Sequence, residues 1–348
     1  MFTNEQLERI NKVPELCRIN ADGFLELYAN NSILSSLRKC EAYFVERYLN
    51  HRVPIGQSNW NLEFGSWLHA TIEYLYKKIY NKESISSLEF LEYGTMTWAE
   101  LEIDNFKSDK RYIDFGGLKG ALVILKQFYE IWHTDNTNII AIETGFGYGK
   151  EVPIISPTNP SDRFFPFNAY LCGRPDVIVH NGHNIGVLDW KTTAYFDGYE
   201  HTKYKPYDAL AGYIYAMNHI IRTKYPDLLK AGLTVDTAWV ICISKRVTST
   251  TQNRFTKFPV KYTPSELHEY RNRQIETFVR MYDIIVNNRA PQWDTSHCNN
   301  DYYRPCTFKI LHELPPEHRE MVLNGRFTID TSYKPDNTES ILAKTSTE

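Results

Sequence analysis

Between residues 167 and 193 the chain reads FNAYLCGRPDVIVHNGHNIGVLDWKTT, two β-branched and aromatic runs joined by the polar turn HNGHN. Runs of this composition around such a turn predict a hairpin over 171–192. Side chains alternate along a strand and face their partners across an antiparallel pair, so Asp176 and Asp189 come side by side and Lys191 shares the face of Asp189. One alternative makes Asp176 a turn residue and Asp189 with Lys191 a sheet-edge ion pair, which is common and weak. The neighbours argue otherwise, because VLDWK and RPDVIV set the charges inside strongly apolar strands, where a charge without a task is costly.

Two adjacent carboxylates repel when ionised, and burial adds to the cost. A divalent cation such as Mg2+ or Mn2+ relieves both by accepting carboxylate oxygens. A lysine two residues on stabilises a developing oxyanion or orients an attacking water. Those parts suit metal-assisted phosphodiester hydrolysis.

The rest of the chain fits an α/β protein. Helical spacing appears in NSILSSLRKCEAYFVERYL (31–49), FGSWLHATIEYLYKKIY (64–80) and GALVILKQFYEIWH, so the front third reads as mainly helical. Strands are expected at IIAIETGFGYG (139–149), in the hairpin, at TVDTAWVICISK and at FTKFPVKYT, with a helix near 207–222 between them. TPSELHEYRNRQIETFVRMYDIIVNN opens with Thr263, Pro264 and Glu266 in capping-box order, the signature of a long helix. The result is a mixed central sheet flanked by helices, with a helical N-terminal part. The 348 residues are 42% hydrophobic, enough for a full core, and the net charge of −3 leaves nucleic-acid contact to local clusters. No run has the roughly 18 apolar residues of a membrane span, and the charged start lacks a signal-peptide core, so a cytoplasmic protein without membrane partners is expected. No phosphate-binding glycine loop occurs, so any duplex unwinding falls to another protein.

Gly173-Arg174-Pro175-Asp176, followed by a strand, a turn and Leu188-Asp189-Trp190-Lys191-Thr192-Thr193, resembles the signature of the PD-(D/E)XK nuclease superfamily, in particular its RecB-like exonuclease branch. The resemblance covers roughly residues 32–312 and implies a restriction-endonuclease-like core. It implies that Asp176 and Asp189 bind Mg2+ or Mn2+, that His69 in GSWLHATIEYLY adds a ligand with the Trp190 carbonyl a further one, and that Lys191 serves the water or the transition state. Glu143 matches the acidic residue of the first core strand. The branch carries a Gln-x-x-x-Tyr element on the following helix; here Tyr213 fits the tyrosine, while Ala209 stands at the glutamine position, next to Asp208.

The same branch includes members with a four-iron four-sulfur cluster held by one early and three late cysteines. Here Cys40, Cys298, Cys306 and, at the last position, His312 correspond, a set that suits iron–sulfur or zinc; the other reading is three unrelated thiols and a surface histidine. Cys17, Cys172 and Cys242 have no such partners. Lys245, Arg246, Arg254, Lys257 and Lys261 form a basic group that could follow a phosphate backbone. The expected organisation is a helical region over 1–136 contributing to the active site, a nuclease core over 137–312 with the cluster segment, and an extension over 313–348. The expected activity is a DNA exonuclease in recombination, repair or phage DNA processing, with a helicase or recombinase as partner. A catalytically silent DNA-binding or assembly module on the same fold, or a structure-specific endonuclease, is the alternative.

Overall fold

The computed structural model describes residues 2–331 apart from 57–58, 135–137, 143–144, 147–151, 157–158, 195, 197–199, 206–207, 225, 231, 247–253, 294–297 and 299–305. In chain order its strands are β1 (Cys17–Ile19), β2 (Leu25–Asn30), β3 (Arg52–Pro54), β4 (Asn138–Ile142), β5 (Val152–Ile155), β6 (Phe167–Cys172), β7 (Val177–His180), β8 (Asn184–Thr193), β9 (Thr234–Ser244), β10 (Phe255–Lys261) and β11 (Phe327–Ile329). Its helices are α1 (Asn4–Asn11), α2 (Asn31–Lys39), α3 (Glu41–Phe44), α4 (Trp60–Tyr80), α5 (Ser87–Glu100), α6 (Lys110–Phe115), α7 (Gly117–Trp132), α8 (Glu200–Tyr204), α9 (Asp208–Lys224), α10 (Pro226–Lys230), α11 (Pro264–Ile285), α12 (Lys309–Glu313) and α13 (Pro316–Arg326). The contacts divide these elements between two compact units, each assembled from separated stretches of chain.

The first unit takes the chain up to residue 57, residues 145–173, and the chain from 264 onward. Its four-stranded sheet has the order β1-β2-β6-β5, with β2 and β6 parallel from Leu25↔Phe167 to Asn30↔Cys172. A two-stranded sheet pairs β11 with β3, Phe327 opposite Pro54. Helix α11 buries Tyr270, Gln274, Phe278 and Met281, and the Arg38 guanidinium of α2 donates to Gln274 Oε1 at 2.7 Å. The helical reading of the front third misses β1, β2 and β3, which are too short to carry a periodic signal. The helix expected over 31–49 is broken at Cys40, whose extended backbone (φ −160°, ψ 111°) ends α2; α3 follows, and Val45–Leu49 is a π-helical turn.

The second unit, residues 58–144 and 174–263, is built on a five-stranded sheet of order β10-β9-β8-β7-β4. Strands β8 and β9 run parallel and the other neighbours antiparallel, a mixed sheet of the kind expected. The apolar run TVDTAWVICIS is β9, paired on both sides, and the strand holding Pro259 is at the edge, where a missing N–H costs no ladder bond. Helices α4, α5 and α7 supply Trp60, Phe64, Trp67, Phe90, Leu125 and Phe128 to one core with Val177, Leu188, Trp190 and Ile241 of the sheet. The Trp67 indole inside that core donates to the Gly94 carbonyl at 2.8 Å, so its polar atom is satisfied. The run 167–180 is two strands rather than one: β6 and β7 belong to different sheets, and Gly173-Arg174-Pro175-Asp176 joins them. Pro175 has no N–H to continue a ladder and restricts Arg174 before it.

Candidate active site

The hairpin of β7 and β8 pairs Val177 with Leu188, and one further step along the same register sets Asp176 opposite Asp189. Alternation along β8 sends Leu188 and Trp190 into the helical core and leaves Asp189 and Lys191 together on the other face. Lys191 Nζ donates to Asp189 Oδ1 at 2.9 Å and stands 2.7 Å from Oδ2. That second approach is not aligned for a hydrogen bond, so Oδ2 is a buried carboxylate oxygen that accepts none. Asp176 Oδ2 accepts the backbone N–H of Trp190 at 2.9 Å, and its Oδ1 lies 3.3 Å from His69 Nδ1.

His69 comes from α4, whose residues at helical spacing face one cavity of about 520 Å³. Asn61, His69 and Glu73 line it from the helix, and Arg174, Asp176 and Lys191 from the hairpin. The His69 ring packs edge-on against Trp190, with centroids 6.0 Å apart, and Tyr76 holds the same indole from about two turns further on, at 5.1 Å. The metal-ligating histidine expected from sequence is therefore anchored to the strand that carries Asp189.

Asp176 is 8% and Asp189 2% exposed, which makes the electrostatics severe. Burial pushes both carboxyls up. At Asp176 the charges of His69 and Lys191 and the Trp190 N–H outweigh it and hold the carboxyl below its usual range. At Asp189 burial, reinforced by the Asp176 charge, prevails over Lys191 and holds the carboxyl above it. Burial lowers His69, but Asp176 against its ring more than offsets this and keeps the imidazole above its ordinary value. Hard carboxylate oxygens, one without a hydrogen bond, beside an imidazole nitrogen are a donor set for Mg2+ or Mn2+. Among the described residues no three such donors converge closely enough to enclose an ion; His69 is turned to Asp176 and Lys191 to Asp189.

Glu143 lies outside the described residues. Tyr213 stands on α9, half-buried. Another tyrosine, Tyr204 of α8, bonds the Cys242 thiol and is close enough to feel the charges of Lys191 and Asp189; burial, above all, raises its hydroxyl pKa. Sequence reasoning missed it, because its approach to the Lys191↔Cys242 pair depends on the parallel register of β8 and β9. Arg174, Asn61 and Glu73 were also missed as lining residues; for Arg174 the signal was its place directly before Pro175-Asp176. In the basic group, Arg254 is 1% exposed and donates to the Ser244 carbonyl at 3.0 Å and to Gln127, so it is an internal strut. Lys257 and Lys261 are exposed on β10.

In the first unit Cys298 meets Cys306 and His312, though among the described residues no three donors enclose an ion. Glu41, the residue after Cys40, accepts both Arg289 terminal nitrogens at 2.8 and 2.9 Å and the Gln292 N–H at 2.8 Å, fixing residues 289–292 beside the α2–α3 break. Cys306 donates its N–H to the Cys298 carbonyl at 2.9 Å and its thiol bonds that of Cys298. Cys298 Sγ is 3.6 Å from His312 Nδ1. Burial, with smaller contributions from Cys298 and Cys40, pushes the Cys306 thiol up to about 11. None of the three forms a disulfide.

A solved structure titled "Crystal structure of SSO0001" is 13% identical, covers 63% of this chain and 76% of its own, and superposes with a TM-score of 0.28, too distant to carry any argument. No curated protein matches the chain. The sequence model that matches spans residues 30–310, from the cap of α2 through the whole five-stranded sheet, and takes in His69, Asp176, Asp189 and Lys191; the chain belongs to the PD-(D/E)XK nuclease superfamily.

Proposed function

We propose that this protein is a divalent-metal-dependent DNA exonuclease of the RecB-like branch, working in the cytoplasm in recombination, repair or phage DNA processing beside a separate helicase or recombinase. Membership of a superfamily of metal-dependent nucleases supports the activity. The observation that carries the site is the buried Asp176–Asp189 pair with Lys191 against it and Asp189 Oδ2 without a hydrogen bond. Asp176 and Asp189 would hold the metal, with His69 and the Trp190 carbonyl completing the shell. Bound there, Mg2+ or Mn2+ supplies Lewis-acid stabilisation of charge at the scissile phosphate. Lys191 orients the attacking water and neutralises charge on the phosphate, while Asp189 keeps its ammonium in place. In this reading Glu143 adds a carboxylate to the centre and Tyr213 helps to position the strand.

The test is digestion of end-labelled linear and circular DNA with Mg2+ or Mn2+, and with EDTA, by wild type, Asp189→Ala and Lys191→Ala. Loss of linear DNA that requires metal and fails in both variants, with the circle intact, is the expected result. Cleavage of the circle makes the protein an endonuclease, and no cleavage by a folded wild type overturns the enzyme.

Cys40, Cys298, Cys306 and His312 would hold a second metal centre, an iron–sulfur cluster or zinc, that ties the late segment to the break between α2 and α3. Three soft thiols and an imidazole supply donors of the right chemistry: Cys298 meets Cys306 and His312, and Cys40 is near enough to bear on the Cys306 thiol. Purification without oxygen, followed by visible absorption and metal analysis, should show iron with a charge-transfer band, or zinc without one, and Cys298→Ser should lose it. Neither metal in the wild type would leave the cysteines as ordinary thiols.

A further inference from the structure

Lys245 stands apart from the carboxylates, just beyond β9. Its backbone is fixed on two sides: its N–H donates to the Thr193 carbonyl of β8 at 2.8 Å, and the preceding carbonyl, of Ser244, accepts from the buried Arg254 at 3.0 Å. The side chain crosses the Phe64 ring, with Nζ 5.7 Å from its centroid, and donates to Asn61 Oδ1 at 2.5 Å. Asn61 lines one end of the active-site cavity. Among the described residues no carboxylate lies within ion-pair reach of Nζ. Another cation, Arg111, bears on it; Asp109 holds that guanidinium through an Nε–Oδ1 bond of 3.0 Å and a second bond from a terminal nitrogen to Oδ2.

A half-buried ammonium with one amide oxygen for a partner and a guanidinium nearby is poorly satisfied. Burial first, and Arg111 second, push it down to about 8. An anion at the ammonium would relieve both effects, and the cavity that Asn61 lines suggests which. It follows α4 from Glu73 to Asn61, which is about 18 Å of helix axis, with His69, Asp176 and Lys191 along it. A nucleic-acid strand carries a phosphate about every 3.4 Å of duplex rise, so the groove accommodates more than the phosphate under attack. Glu73, paired with Lys77, lines one end; Asn61 lines the other, and Lys245 stands behind it, joined to the groove through its bond to Asn61 Oδ1.

Resting on the nuclease reading, we propose that Lys245, oriented by Asn61, binds a backbone phosphate of the substrate strand further along the groove than the one that is cleaved. Lys245 is then a positioning residue, and it fixes the end of the groove through which the strand runs.

The test is binding of a labelled single-stranded DNA in EDTA, by anisotropy over a range of salt, for wild type, Lys245→Gln, Lys245→Arg and, at an exposed position of α7, Lys119→Gln. Lys245→Gln should weaken binding severalfold and reduce the slope of log K against log salt by about 0.7, the share of one single-strand phosphate. Lys245→Arg should keep the wild-type slope, as should Lys119→Gln. A walk of single methylphosphonates should find one position that weakens wild-type binding and has no further effect on Lys245→Gln. With Mg2+ the same variant should raise KM and leave kcat. Wild-type affinity and slope in a folded Lys245→Gln would overturn the proposal, as would an equal loss in Lys119→Gln. Lys245-dependent binding without cleavage in any metal would leave the subsite standing and remove the nuclease reading instead.

Discussion

Asp189 Oδ2 is a buried carboxylate oxygen that accepts no aligned hydrogen bond and is met only by the charge of Lys191 at 2.7 Å. Elsewhere a buried acid is fully satisfied: Glu41 accepts two guanidinium bonds and a backbone N–H. Burial raises the Glu41 carboxyl, but Arg289 and the Gln292 N–H outweigh it and hold the group below its ordinary value. A carboxyl whose folded pKa lies below its unfolded one stabilises fully above the unfolded value, and loses that contribution as pH falls through the folded one. Glu41→Gln should therefore cost about 1–3 kcal/mol at pH 7, and the difference should disappear once the pH is below the folded value. Urea denaturation of both proteins at neutral and acid pH measures this. Asp176, Asp189 and Lys191 were legible in sequence because charges are conspicuous in apolar strands. Lys245 was visible only as one of a basic group, since its partner Asn61 lies 184 residues away.

The hairpin was legible because its register follows from the turn and the alternation, and the observed pairing puts Asp176 opposite Asp189 as that rule requires. The parallel partner of β8 was less so: nothing local in TVDTAWVICIS says which strand it joins or in what register. That register sets Cys242, whose thiol Tyr204 bonds, beside Lys191. It also depends on a glycine. At Gly186, where the β8–β9 ladder shifts, a Cβ would overlap the Thr237 carbonyl oxygen and the Trp239 ring. Gly186→Ala should destabilise by at least the roughly 1–3 kcal/mol of an overpacked core, and shift the urea midpoint accordingly. An unchanged midpoint would mean that β8 can move away from β9 without loss. The helix expected over 31–49 failed for a related reason: its apolar spacing runs through Cys40 unbroken, and only the extended backbone there interrupts it.

At the scale of the whole molecule, composition established an α/β protein but not that its units are interleaved. Segments far apart in sequence make each sheet, as in the parallel pair of β2 and β6. With a formal net charge of −3, the proposed DNA contact rests on local cations, Lys191 and Lys245, against a slightly repulsive whole. Binding should weaken with salt, yet with a slope set by a few phosphates. The interleaving has a consequence in time. Every stretch of the unit that carries Asp176 and Asp189 has been synthesised by residue 263, whereas the other unit still lacks α11 and β11. On the ribosome the nuclease sheet should therefore become resistant to protease before residues 1–57 do, although those residues are made first. Nascent chains arrested at successive lengths would show the order, and early protection of the N-terminal stretch would contradict it. The first part of the chain made would thus be among the last to find its partners.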